Sequence, residues 1–188
     1  MATVPRTAAL TAVLLVTAQV TAASNRQVKV CMETVLMPFG MQHAARAQAS
    51  AIYTRIGIDL KWSRLSECVN DGIRIDVEPG AAADLSPKAT ASAYPFSKSP
   101  RRITVYCDRV QAVISGRELS ARFIVGHILA HELGHVLLRT DAHADTGLMK
   151  AHWTHADFVA MSRAPAAIGG IHAKMMHENL DRRAIAVE

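Results

Sequence analysis

His131-Glu132-Leu133-Gly134-His135 is the stretch whose residue types and spacing most plainly suggest chemistry. Two histidines four apart on a helix share one face, one turn apart, so their imidazoles can grip a single divalent ion. A catalytic zinc takes three protein ligands and leaves a fourth position for water. His131 and His135 supply two of them. Glu132 then stands as general base toward that water. Gly134 either lets the helix pack closely or spares bulk near the ion. The third ligand is expected downstream, where His143 is favoured over Asp141; whichever does not bind is expected to hydrogen-bond a ligating imidazole. The bland alternative is a core helix that reads HExxH by chance. It would bury two histidines and a glutamate that need partners, at a cost.

Other candidates are weaker. His127 lies one turn before His131, and the three histidines of the helix then span about 12 Å along its axis. One ion cannot take both ends at metal–nitrogen distances of about 2 Å, so His127 is expected to line the pocket or to be hydrogen-bonded. Glu178, in His177-Glu178-Asn179, is a rival third ligand of the kind some HExxH enzymes take from a later helix. That choice would leave Gly147-Leu148-Met149 unexplained. His43, His152, His155 and His172 are expected at the surface or at caps.

The run His131 to Met149, HELGHVLLRTDAHADTGLM, resembles the metzincin metallopeptidases, whose signature is HExxHxxGxxH (or Asp in the last place) followed by a turn carrying a Met beneath the zinc. The resemblance is specific over about twenty residues. By that spacing the third ligand falls on Asp141, as in the small snapalysin-type proteases, and Met149 falls where short-spaced matrixins place the turn Met. The pattern departs at Leu138, where the family's turn glycine would stand. It is similar also to short exported bacterial proteins carrying HELGHxLLGxxxHSxxGIM, in which the later His corresponds to His143. The resemblance implies a zinc metalloendopeptidase with a sheet, a backing helix, an active-site helix and a substrate-binding edge strand.

The elements that must position these residues follow from periodicity. Gln27–Met32 alternates as a strand, about 41–56 has helical spacing ended by Gly57, and Ile58–Trp62 alternates again. That strand-helix-strand unit predicts a parallel pair. Ile73–Val77 and Arg102–Cys107 read as further strands, and Thr90–Phe96 as an edge strand because Pro95 cannot donate. Asp108–Ser115 reads as a helix capped by Asp108, and Leu119–Leu138 as the strongest helix, capped by Ser120. Short helices are expected over Thr154–Met161 and Pro165 to about Asn179, the latter interrupted by Gly169-Gly170. The fold class is α+β, close to α/β: a small mixed twisted sheet, two main helices and a helical C-terminal part.

Bulk properties bound the rest. The chain has 188 residues, half hydrophobic and 20% charged, enough for one domain with a real core. The formal charge of +5 is scattered, with no stripe or recognition motif, which argues against a nucleic-acid partner. Arg6, the apolar run Ala8–Val20 and the small residues Thr21-Ala22-Ala23 read as a signal peptide over 1–23, leaving a single domain over 24–188. The protein is therefore expected in the periplasm, envelope or medium, without stable membrane insertion once the signal is cleaved, as a monomer acting on peptide or protein. Cys31, Cys68 and Cys107 allow one disulfide and one free thiol, and buried thiols are as reasonable for Cys31 and Cys107, both in strand-like runs. The rival functions are a non-catalytic zinc-binding module, an amidase acting on something other than peptide, and an envelope interaction protein with no metal.

Overall fold

Alternation along Gln27–Met32 aims Val28, Val30 and Met32 into a core while Gln27 stays exposed. The computed structural model describes residues 26–32, 36–68, 71–83, 85–86, 89–97, 101–117 and 120–185. The expected signal segment, 1–23, lies outside the described residues. In chain order the elements are β1 (Arg26–Met32), α1 (Phe39–Thr54), β2 (Ile58–Ser63), a 3-10 turn (Leu65–Glu67), β3 (Ile73–Glu78), β4 (Ala91–Tyr94), β5 (Arg101–Tyr106), α2 (Cys107–Ile114), α3 (Ala121–Leu138), α4 (His155–Arg163) and α5 (Gly170–Ile185).

The strands form one mixed sheet in the order β2-β1-β3-β5-β4. β1 pairs in parallel with β2, as the strand-helix-strand reading predicts, and β3 pairs in parallel with both β1 and β5. β4 is the edge strand and runs antiparallel to β5. The class is the mixed α/β arrangement expected from the sequence.

α1 and α3 pack together against the sheet. Their closest approach is at Gly126, where a methyl group would run into the Gln48 side chain and lie 2.9 Å from the Ala45 carbonyl oxygen. Every residue of α3 except Arg122 and Phe123 is buried. A helix apolar on all sides is stable only as a central element, and α1, α4, α5 and β4 all contact it.

α5 closes the far end. Asn179 Nδ2 donates to the Leu137 and Leu138 carbonyls at 2.9 and 3.0 Å, and Arg183 Nη2 to Val136 at 3.1 Å. These side chains satisfy carbonyls that a helix C-terminus leaves unpaired. The turn is then made by Arg139 in the left-handed region, φ 56° and ψ 49°, where a glycine would be the ordinary choice.

Four local expectations are corrected. Cys107 opens α2 rather than ending a strand, and Tyr106, not Asp108, holds the N-cap position; the Asp108 carboxylate instead accepts from the backbone of Ala81 and Arg109. Ser120 precedes α3 without a side-chain capping bond. Gly169 and Gly170 do not interrupt a helix: 165–169 is irregular, and α5 starts at Gly170 and runs to Ile185. Of the two readings left open for the cysteines the structure shows the disulfide: Cys31 is bonded to Cys68, with Cys107 free and half-buried.

The Cys31–Cys68 bond ties β1 to the segment after β2 across a sequence separation of 37. Loop closure of that length stabilises by roughly 4 kcal/mol on the chain-entropy account. Replacing both cysteines by Ala is expected to lower the unfolding free energy by ~2–4 kcal/mol, read from denaturant midpoints under non-reducing conditions.

Candidate metal centre

α3 sets His131 and His135 one turn apart, and two loop carbonyls set their rings. His131 Nδ1 lies 2.8 Å from the Leu148 carbonyl oxygen, and His135 Nδ1 lies 2.9 Å from that of Thr140. A carbonyl can only accept, so each Nδ1 carries the proton and each Nε2 is left as a bare lone pair. The two Nε2 atoms face each other at 3.0 Å. Two lone pairs at that distance repel unless a cation or proton lies between them. His143, on the loop after α3, completes the group. Its ring is 5.3 Å from that of His131 and 4.8 Å from that of His135, and one ligand atom from each of the three lies within 4.8 Å of the others. These three histidines could hold a metal ion.

The donor set suits a metal ion. It offers three nitrogens, and all three histidines line a cleft of about 720 Å³. Asp141 also lines that cleft but lies outside the cluster; its charge raises the proton affinity of His135. Glu178 sits on α5 beside Lys174, well exposed, and takes no part.

The loop that supplies the carbonyls is itself pinned. Gly147 adopts φ 74°, and a methyl there would lie 2.7 Å from the Ala167 carbonyl oxygen, the same oxygen that accepts from Leu148 N at 2.9 Å. Met149 is buried beneath the site, and a methyl at Gly134 would run into its Sδ. Of the two reasons offered for Gly134, close packing is the one the structure shows.

His127 is a different kind of histidine. Its Nδ1 donates to the Phe123 carbonyl at 2.7 Å, and its Nε2 accepts from Ala166 N at 3.0 Å. Both ring nitrogens are satisfied by the protein, as expected of a residue one turn away from the ion.

Burial governs the electrostatics. It lowers the His131 pKa to about 4, with smaller contributions from the other two histidines, and it lowers His135 and His127 as well. Burial thus favours the neutral form of these three rings. Burial also raises the Glu132 carboxyl to about 7. Beneath it, Tyr53 is wholly buried, donates to the Ala130 carbonyl at 2.8 Å, and is held well above the usual phenol range by burial and then by Glu132.

Several cleft residues carry no sequence signal. Trp153 stands edge-on to His131, with ring centroids 5.5 Å apart, and Phe158 packs edge-on to Trp153. Arg117 and Val113 enter from the α2 side. Ala91, Ser92 and Ala93 of β4, which the sequence did mark as part of an edge strand, line the cleft as well. Neither a protein-family model nor a curated protein matches the chain, so the site's chemistry rests on its own geometry.

Gly147→Ala is expected to cost about 2 kcal/mol or more, because both the positive φ and the Ala167 contact forbid a side chain. It should also weaken metal uptake roughly 10- to 100-fold through the displaced Leu148 carbonyl. Thermal melts and metal titration of the variant check both.

In the metal-free protein, Glu132 holds its proton up to about pH 7, whereas the unfolded chain releases it near 4.5. The folded state therefore binds the extra proton between these values, and its stability is lost as pH rises through 7. Glu132→Gln removes that titration. The chelated variant is expected to match wild type below pH 4.5 and to exceed it above pH 7 by up to ~3 kcal/mol, measured by denaturant unfolding. The depressed His131 pKa works in the opposite sense, removing stability as pH falls from 6.5 toward 4, but it is common to both proteins.

Proposed function

We propose that the protein is an exported zinc-dependent metalloendopeptidase, with zinc held by His131, His135 and His143 and Glu132 as general base. The observation that carries this reading is the pair of unprotonated Nε2 atoms 3.0 Å apart on the floor of a cleft rimmed by an edge strand. The resemblance of His131 to Met149 to the metzincins supports it. So does the arrangement around it, with Met149 packed under Gly134 and a sheet edge beside the active-site helix.

Zinc in this site would act as a Lewis acid, polarising a bound carbonyl and making water a better nucleophile at neutral pH. The rest is the work of the chain. The Nδ1–H bonds of His131 and His135 to Leu148 and Thr140 keep those two rings from turning away. Glu132, buried but opening on the cleft, takes a proton from the attacking water and returns it to the departing amine. A carboxyl poised near neutrality suits both steps. An extended peptide would add to the free edge of β4 by main-chain hydrogen bonds, which fixes its carbonyl over the histidines. The Cys31–Cys68 bond favours an oxidising compartment and so agrees with export.

Metal analysis and one variant test the reading. The mature chain, purified without chelator, should carry about one zinc, and removing it should abolish cleavage of a casein or mixed-peptide substrate. Less than ~0.1 zinc per chain at neutral pH would sink the assignment. Glu132→Gln should keep the metal and lose roughly 10²–10⁴ in kcat. Undiminished turnover in that variant would rule out the proposed base. Zinc bound without any hydrolysis by wild type would favour a non-catalytic zinc module.

A further inference from the structure

Among the charged side chains of the cleft that have no part in the mechanism above is Arg117. Arg117 follows α2 and lines the cleft together with Val113, Ile128, Trp153 and Phe158. Its guanidinium lies over the Phe158 ring, 5.0 Å from the centroid. Nη1 donates to the Val113 carbonyl at 2.7 Å and reaches that of Ser115 at 3.5 Å. Nε is buried and has no partner. Among the described residues no carboxylate pairs with Arg117, and none accepts from Nη2. The other cleft cation, Lys150, is differently placed: its Nζ is bonded to Asp157 at 2.7 Å.

We infer that Arg117 forms a carboxylate-binding subsite that selects the substrate. The inference rests on the peptidase reading and deepens it. A guanidinium stacked on a ring and tethered through one nitrogen has already lost most of its rotamer freedom. Its remaining N–H edge is therefore preorganised to meet a planar anion. Val113, Ile128, Trp153 and Phe158 in the same cleft favour a hydrocarbon stem on the ligand. The ligand this fits is a short aliphatic chain ending in a carboxylate. Two parts of a peptide carry that chemistry: a glutamate side chain near the cleaved bond, or the free C-terminal carboxylate of a short substrate.

Matched peptides separate the two sources. In one set Glu or Gln is walked through each residue flanking the cleaved bond, with both peptide ends blocked. In the other, a peptide without acidic side chains ends in a free acid or an amide. One set should show a carboxylate preference of roughly ten- to hundredfold in kcat/KM, the range of a charge-assisted hydrogen bond, and that set names the source. Arg117→Met should collapse the ratio to about one, while Arg117→Lys, which keeps the charge and the stem, should retain part of it. Ratios near one in both sets for wild type, or a ratio that survives Arg117→Met, would overturn the subsite and leave the peptidase standing.

Binding gives the converse. The same pairs are titrated against the zinc-loaded Glu132→Gln protein, followed by tryptophan fluorescence. Should wild type cleave none of the peptides, a carboxylate member that still binds at least tenfold tighter than its amide twin, with the difference lost on adding Arg117→Met, upholds the subsite while the peptidase reading falls. Equal binding of the twins overturns the subsite whatever the activity.

Discussion

The hydrogen bond from His131 Nδ1 to the Leu148 carbonyl, with its counterpart from His135 to Thr140, is what turns a helix into a site. Helix geometry fixes only where the two side chains start. Their rings could still rotate, and either nitrogen could carry the proton. The loop carbonyls remove both freedoms. They also make the helix dependent on what holds the loop: Gly147 against Ala167, and Met149 against Gly134. The segment bearing Ala167 is tied back to α3 through His127, which accepts from Ala166. Helix, loop and C-terminal segment thus form a closed circuit of contacts, and the metal donors sit at its centre.

Much of the frame was legible because it follows local periodicity. The alternating strands, the parallel pairing of β1 and β2 and the Pro-marked edge strand each depend on a few neighbouring residues. The HExxH face is legible for the same reason. What was not legible depends on distant contacts. Arg139 takes a left-handed conformation because Asn179 and Arg183, some forty residues later, hold the last carbonyls of α3. No local pattern marks that turn, although the favoured third member of the cluster, His143, was legible. The cysteine pairing failed to show for a similar reason: Cys68 lies in a polar stretch, and only the folded-over 3-10 segment brings it against β1.

The cleft divides along the same line. Its floor is made of sequence-adjacent residues of one helix and one loop, and these carry the strongest signal. Its walls come from β4, the end of α2, and the segment around Trp153 and Phe158, three places far apart in the chain. Arg117 looks from sequence like any other scattered surface cation. Only the fold brings Phe158 beneath it, and among the described residues no carboxylate pairs with it. The histidine cluster is thus encoded locally and the cleft walls tertiarily.

His127 provides an internal control on the metal assignment. It shares its helix face with His131, is just as buried, and its pKa moves in the same direction for the same cause. Burial and pKa therefore do not separate a ligand from a structural histidine here. Hydrogen-bond bookkeeping does. Both nitrogens of His127 are matched by backbone groups of the protein, one donor and one acceptor. In His131 and His135 only Nδ1 is matched, and the remaining lone pairs are aimed at one another. A buried acceptor without a donor is costly, and two that converge raise that cost by mutual repulsion. The fold maintains this arrangement with two glycines that tolerate no side chain, so the convergence is specified rather than incidental. A cation between the two nitrogens, with His143 as a third donor, removes the cost, which ties the stability of this corner of the protein to the occupant of its site.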